Sequence, residues 1–317
     1  MLTGDMDRLR TIVDAAVDTC RSVPGYEWDL AANLHMRANL LANRTDWAGD
    51  AIRDADESLE IYQRLGDLWG TAEAYSARAE AHERRGAYLR AAADYEAGVE
   101  HADRLGARAQ VGVLSARLGS ALIEAGQGER GEALLRTVIE QDGGASEHAM
   151  PFARLILAGW LSLTGRVPEA REQVRLLREQ FKIAHFVVFD AFILGSESWL
   201  DALDGRYQES LETIRKALER AEDPLAAAIA PQMQSAYLTT AAFALARVDG
   251  GCRAGDAARC LGAADAMQPH RHVPSCQERE VHQRAVERTR AVLGDAAYEA
   301  AYAEGGGLSP REAAALV

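Results

Sequence analysis

A repeat of about forty residues is the strongest feature of the sequence. A glycine suited to ending a helix recurs at intervals of 40, 39 and 40 residues, at Gly86, Gly126, Gly165 and Gly205. A second marker, Leu65-Gly66-Asp67, recurs 40 residues later as Leu105-Gly106-Ala107. Two markers with one period predict tandem structural units that bury their apolar faces against their neighbours.

Each unit has the pattern of a helix, a tight turn and a second helix. Small or apolar residues lie five, nine and twelve positions after the turn glycine, and a small residue lies seven positions before it. Such residues let two antiparallel helices approach closely, which makes a helix hairpin stackable. In the first of the four glycine-marked units these residues are Ala79, Ala91, Tyr95 and Gly98.

The composition favours helices throughout the chain. Alanine forms about a fifth of the 317 residues, and only eight residues are proline. Alanine loses the least side-chain entropy in a helix, whereas proline and glycine are the main helix breakers. We therefore predict an all-α fold, a right-handed α-solenoid of hairpins, with a helix in 1–25, five hairpins in 26–223 and an irregular hairpin with capping helices in 224–317.

The register of the repeat loosens near its C-terminal end. Asp223-Pro224 matches a helix N-cap followed by proline at the first helical position. The hairpin predicted for 224–267 is interrupted at Asp249-Gly-Gly251. Two Ser-x-x-Glu capping boxes are then expected to begin helices, at Ser275 to Glu278 and at Ser309 to Glu312.

The net charge of −13 argues against a nucleic-acid-binding surface, because phosphate contacts need clustered lysine and arginine. We therefore expect no direct nucleic-acid partner. We also expect no membrane partner, since no apolar stretch is long enough to span a bilayer and the N-terminus lacks the pattern of a secretion signal. Four cysteines in a chain of this length favour a reducing, cytoplasmic location.

The repeat resembles the tetratricopeptide repeat. The turn glycine and tyrosine of that family, with the alanine and tyrosine that follow, are matched most fully by Gly86, Tyr88, Ala91 and Tyr95. That repeat has a period of about 34 residues, so the resemblance implies hairpins of this type with lengthened helices. In such solenoids the first helix of each hairpin lines the inside of the superhelix and contacts ligands.

A closer resemblance lies in three C-terminal segments, Ala257–Met267, Arg290–Gly305 and Leu308–Ala313. They are similar to the C-terminal end of actinobacterial transcriptional regulators of the SARP/AfsR type and of LuxR-type activators with an ATPase core. In those families a P-loop ATPase and a DNA-binding domain accompany a tetratricopeptide-repeat sensor. The sequence contains no Gly-x-x-x-x-Gly-Lys-Ser/Thr motif. The resemblance therefore implies the sensor part, whose partners in a longer native chain would be the ATPase and DNA-binding modules in cis.

Two motifs could carry chemistry, and each has a simpler interpretation. The segment from Gly126 to Gly131 matches the dinucleotide fingerprint, but it lacks the preceding strand and coincides with the packing positions of the repeat. His270, His272 and Cys276 are a weak candidate metal site, because their spacing is not that of a zinc finger. We predict no cofactor, no metal and no catalysis, with a metal-dependent enzyme as a distant alternative.

The first helices carry the candidate binding residues, which are polar in the early units and largely apolar in the later ones. A groove of this composition suits a peptide, a partner helix or a small molecule. Two alternatives stay open: the aromatic residues can belong to the core, and the charged helix 275–293 can fold back into the groove. The groove residues are Asn33, Asn43, Arg44, Glu73, Ser76, Glu80, Arg84, Phe152, Leu155, Phe192, Trp199 and Leu203.

The predicted function is that of a non-catalytic sensor domain of a bacterial transcriptional activator, which binds a protein, a peptide or a small-molecule effector. A ligand would change the curvature of the solenoid or its docking on the other modules. It can shift the equilibrium between the solenoid's free and ligand-bound conformations only by the difference between its affinities for them. The alternative is a stand-alone scaffold of tetratricopeptide type that mediates protein–protein interactions.

Overall fold

The computed structural model describes residues 2–42, 47–140, 149–180 and 187–317. These residues form seventeen α-helices and no strand, so the all-α prediction is confirmed. None of the described helices has the length and apolar character needed to cross a bilayer. The helices are α1 (Leu2–Ser22), α2 (Glu27–Ala42), α3 (Ala48–Leu65), α4 (Leu68–Arg84), α5 (Tyr88–Arg104), α6 (Arg108–Glu124), α7 (Gly128–Glu140), α8 (Ala149–Leu163), α9 (Val167–Gln180), α10 (Val187–Leu203), α11 (Tyr207–Ala221), α12 (Pro224–Ile229), α13 (Met233–Leu245), α14 (Ala254–Ala266), α15 (Cys276–Leu293), α16 (Asp295–Gly305) and α17 (Pro310–Ala315).

The chain divides into two compact units, Met1–Ile156 and Leu157–Val317. In the first unit each helix from α1 to α6 packs on the next one in the chain. In the second unit α10 packs on α9 and α11, α11 packs on α13, and α13 packs on α14 and α15. Contacts between neighbours in the chain are what stacked helix hairpins require.

The same turn ends six of the repeat helices. Each turn contains the two hydrogen bonds of a Schellman motif. At Gly86, for example, its amide donates to the carbonyl of Glu83 and the amide of Ala87 donates to the carbonyl of His82, both over 2.9 Å. The six turn glycines have φ between +69° and +81°, a left-handed conformation that glycine adopts readily; they are Gly66, Gly86, Gly106, Gly126, Gly165 and Gly205.

The predicted close approach within a hairpin is clearest between α6 and α7. A β-carbon added at Gly131 would lie 2.5 Å from the carbonyl oxygen of Gly119. One added at Gly119 would lie 2.8 Å from the side chain of Leu135. The segment from Gly126 to Gly131 follows α6 rather than a strand, so its glycines serve the turn and the helix contact.

The caps predicted for the C-terminal helices are confirmed. The side chain of Asp223 accepts a hydrogen bond from the amide of Leu225 at the start of α12. The interruption predicted at 249–251 is a short 3-10 turn, Val248–Gly251, in which Asp249 has a φ of +48°. Both capping boxes are complete, at Ser275 with Glu278 and at Ser309 with Glu312.

The charged helix α15 packs along α13 and α14 in the second unit. Its first turn also reaches α8, where a β-carbon added at Gly159 would lie 2.8 Å from Oε1 of Gln277. The alternative in which residues 275–293 fold back into the groove stays a prediction. The packing of α14 on α16 is closer still, because a β-carbon added at Gly262 would lie 2.0 Å from the carbonyl oxygen of Tyr302.

Gly131→Ala is expected to lower the free energy of unfolding by about 1–3 kcal/mol, because the added methyl group would overlap the backbone of Gly119. Gly49→Ala is the matched control, since nothing lies within 4 Å of the added carbon there. Alanine is the better helix former, so the control is expected to be unchanged or up to about 1 kcal/mol more stable. Chemical denaturation measures both values, and equal stability of the two variants would contradict the close contact.

Candidate functional site

Side chains of the first helices meet across the first unit, starting at α2 and α4. The ring centroids of His35 on α2 and Trp69 on α4 lie 6.5 Å apart in an edge-to-face arrangement. Nε2 of His35 lies 3.7 Å from Oε2 of Glu73, also on α4. Gln110 on α6 donates a hydrogen bond from its side-chain amide to Glu73. Glu73 thus joins three consecutive first helices.

A second set of contacts continues from α4 to α8. Arg117 on α6 pairs with Glu80 on α4, with Nη1 and Oε1 separated by 3.2 Å. Cζ of Arg117 lies 5.9 Å from the centroid of the Phe152 ring on α8. We call this group of side chains the first-helix surface; its members are His35, Trp69, Glu73, Glu80, Gln110, Arg117 and Phe152.

Glu83 is a half-buried acidic group next to this surface. The hydroxyl of Tyr95 donates a hydrogen bond to Oε2 of Glu83 over 2.9 Å. Burial raises the pKa of Glu83 to about 7, although the charge of Arg117 and the hydrogen bond from Tyr95 act in the opposite direction. The carboxyl group of Glu83 is therefore partly protonated near neutral pH.

Glu73 experiences the same kind of environment. Burial raises its pKa, the charge of Glu80 raises it further, and Gln110 and Arg117 act against them. Burial also lowers the pKa of His35, so this imidazole is mainly neutral at pH 7. Three carboxyl groups, those of Glu73, Glu80 and Glu83, thus lie around the guanidinium of Arg117, and the charge of Arg84 acts on Glu83 as well.

The first-helix surface contains an unpaired hydrogen-bond acceptor and an exposed aromatic ring. Oε1 of Gln110 is buried and has no hydrogen-bond partner among the described residues, which is uncommon because buried polar atoms are nearly always paired. Trp69 is 46% exposed, so an aromatic ring next to Glu73 is open to solvent. An acceptor, a group of carboxylates and an accessible ring can together receive a positively charged ligand.

Two ion pairs with buried aspartates follow the repeat, and neither was predicted from the sequence. Nε and Nη2 of Arg37 on α2 contact Asp54 on α3 over 2.7 and 2.8 Å. Nε and Nη2 of Arg78 on α4 contact Asp94 on α5 over 2.9 and 2.6 Å. Both aspartates are 7% exposed. The sequence does contain a signal for these pairs. Arg78 follows Arg37 by 41 residues, and Asp94 follows Asp54 by 40, which is close to the period of the repeat.

The structure brings some of the predicted groove residues of the first unit together. Glu80 and Phe152 both contact Arg117, and Arg84 lies close enough to influence Glu83. Ser76 and Leu155 are half-buried. Asn33 instead faces α1, with Nδ2 3.7 Å from Sγ of Cys20. Asn43 and Arg44 lie outside the described residues.

The predicted groove residues of the second unit pack in its core. Trp199 is 3% exposed. Its Nε1 donates to Oγ of Ser162 over 3.2 Å, and its ring centroid lies 4.9 Å from that of Phe243. Phe192 and Leu203 are partly buried against the same core. The interpretation of these residues as core, which periodicity left open, therefore agrees with the structure.

The weak metal candidate is spread along one loop and the start of α15. Nε2 of His272 lies 3.2 Å from Oε1 of Glu278, Cys276 is the first residue of α15, and His270 is exposed. Within the described ranges, no group of three or more histidine, cysteine, aspartate or glutamate side chains is arranged to hold a metal ion.

The first-helix surface offers charge, hydrogen-bond acceptors and an open aromatic ring on rigid helices. No known protein family matches the chain, and no curated protein matches it.

Glu83→Gln is expected to remove a pH dependence of stability. Because the pKa of Glu83 is raised from 4.5 to about 7, unfolding releases its proton between these pH values. The wild-type free energy of unfolding should therefore fall as pH rises through this window, by up to about 3 kcal/mol. The variant should lack this part of the fall and be more stable than wild type at about pH 8.

Denaturant titrations from about pH 5 to about pH 8 measure this difference. Glu60→Gln, at an exposed position on α3, is the matched control and should keep the wild-type profile. A Glu83→Gln profile with the wild-type slope would show that this carboxyl group is not the one that titrates.

Proposed function

We propose that this chain is a non-catalytic binding domain whose first-helix surface receives a positively charged group of a peptide, a partner protein or a small-molecule effector. The observation that carries the proposal is the excess of carboxyl groups around Arg117. Three carboxyl groups, those of Glu73, Glu80 and Glu83, surround Arg117, and Arg84 is a further guanidinium that acts on Glu83. Burial raises the pKa of Glu73 and of Glu83, so the environment of both favours the protonated form.

A cationic ligand would offset the excess of negative charge on these carboxyl groups. An ammonium or guanidinium group placed near Glu73 would supply the charge that its carboxylate lacks, and charge-assisted hydrogen bonds are about twice as strong as neutral ones. The exposed ring of Trp69 offers a cation–π contact to the same group. Oε1 of Gln110 could accept one of its hydrogen bonds.

The expected setting of this binding is a bacterial transcriptional activator of the SARP/AfsR or LuxR type, with the ATPase and DNA-binding modules in cis. The support is the resemblance of Ala257–Met267, Arg290–Gly305 and Leu308–Ala313 to the end of such regulators. A ligand on the first-helix surface would act by favouring one arrangement of the helix hairpins over another. A stand-alone scaffold would use the same surface for a protein partner in trans.

A cytoplasmic location belongs to this proposal. All four cysteines fall within the described ranges, and none of them forms a disulfide. The thiol of Cys260 is buried, and burial raises its pKa to about 12, which makes it unreactive. Free thiols of this kind are typical of a reducing compartment.

Peptide selection tests the binding site. Random peptides displayed on phage and selected against the wild-type chain are expected to be enriched in lysine and arginine, because the ligand must complement Glu73 and Glu80. The double variant Glu73→Gln, Glu80→Gln should bind the selected peptides at least about tenfold more weakly, since each charged hydrogen bond contributes about 1.5–3 kcal/mol.

The matched control is the double variant Glu60→Gln, Glu96→Gln, which changes the net charge equally at two exposed positions. Its affinity should equal that of wild type at physiological salt, where distant surface charges are screened. Selected peptides without positive charge, or equal weakening in both double variants, would refute the proposed site. Thermal unfolding of each variant verifies that it is folded.

The regulatory setting has its own test. An antibody raised against this chain is expected to detect a protein in the native host that is two or more times heavier than 34.4 kDa. The reason is that an ATPase and a DNA-binding module each add a domain. A band at 34.4 kDa would contradict the in-cis arrangement and favour the stand-alone scaffold.

A further inference from the structure

Three arginine side chains converge where α13 ends in the second unit. Cζ of Arg247 lies 3.6 Å from the centroid of the Phe243 ring, and Cζ of Arg284 on α15 lies 5.6 Å from the same centroid. Nε of Arg288, also on α15, donates to the carbonyl of Ala246 over 3.3 Å. We call Arg247, Arg284 and Arg288 the arginine cluster.

The arginine cluster is short of negative charge. Among the described residues, no carboxylate lies within 4.0 Å of Arg247 or Arg288, and Arg284 has only Glu280 at 3.8 Å on its own helix. This is a notable shortage in a chain with 48 acidic and 35 basic residues. Burial lowers the pKa of Arg247, and the charges of Arg288 and Arg284 lower it further, whereas Tyr207 raises it.

Capping of α13 accounts for part of the arrangement. Nη1 of Arg247 donates to the carbonyl of Phe243 over 2.9 Å, and its Nη2 donates to the carbonyl of Arg284 over 3.4 Å. The C-terminal end of a helix carries about half a negative charge, which is small against three guanidinium groups. Each guanidinium also has five N–H donors. The hydrogen bond from Nε of Arg288 to the carbonyl of Ala246 uses one of them.

We propose that the arginine cluster binds a phosphate group, either inorganic phosphate or the phosphate monoester of a small molecule. Phosphate carries close to two negative charges near pH 7 and accepts paired hydrogen bonds from guanidinium groups. The partly buried position of Arg247 strengthens such a contact, because water screens it less. The net charge of −13 disfavours an extended polyanion such as nucleic acid.

This site is independent of the first-helix surface. Its residues all belong to the second compact unit, Leu157–Val317, whereas the first-helix surface belongs to Met1–Ile156. Failure of the phosphate site therefore leaves the proposal for the first-helix surface untouched, and the reverse also holds.

Isothermal titration of the full chain with inorganic phosphate and with glycerol 3-phosphate, at constant ionic strength, tests the proposal. We expect saturable binding of at least one of the two by wild type. Arg288→Gln should weaken it about tenfold or more, because a charged hydrogen bond is lost at an exposed side chain whose removal leaves the core intact. Tighter binding of glycerol 3-phosphate would identify a monoester as the ligand, and equal or tighter binding of inorganic phosphate would identify free phosphate.

Arg279→Gln is the matched control, since Arg279 is exposed on the same helix and the substitution changes the net charge equally. It should bind both probes as wild type does. Wild-type chain without saturable binding, Arg288→Gln with wild-type affinity, or equal weakening by Arg279→Gln would overturn the proposal. Thermal unfolding without ligand establishes that the variants are folded.

Discussion

The left-handed glycine at the end of a helix is the constraint on which the repeat depends. Residues with a β-carbon resist a φ near +70°, so a glycine at this point ends the helix and reverses the chain. Because these glycines are regularly spaced, α4, α5 and α6 each contain 17 residues. Successive first helices then pack in one repeated register, and both Gln110 with Glu73 and Arg117 with Glu80 join residues 37 positions apart, three positions short of the period.

Much of the fold could be predicted from the sequence because its signals are local. A turn glycine such as Gly86 and a capping box such as that of Ser275 satisfy backbone groups within a few residues, so each can be recognised without knowledge of the tertiary structure. Glu80 and Phe152 could be placed on the first helices for a related reason. Once the period was known, their places on the first helices followed from the register.

The remaining features depend on contacts between helices. The ion pair of Arg78 with Asp94 requires two rotamers to meet across a hairpin, and a charged residue on a helix is more often simply solvated. The period of apolar residues cannot distinguish a core residue such as Trp199 from one that faces a groove. Arg247 and Arg288 come together only because α15 packs on α13, after the repeat register has loosened.

The burial of carboxyl groups connects the fold to the proposed function. Glu83 is held in an environment that opposes its charge, which costs stability at neutral pH and is typical of sites that bind or react. Carbon-13 NMR titration of the glutamate side-chain carboxyl groups tests this account most directly. It predicts one carboxyl group that titrates at about pH 7 and is missing in Glu83→Gln. Titration of every glutamate at about pH 4–5 would contradict the account.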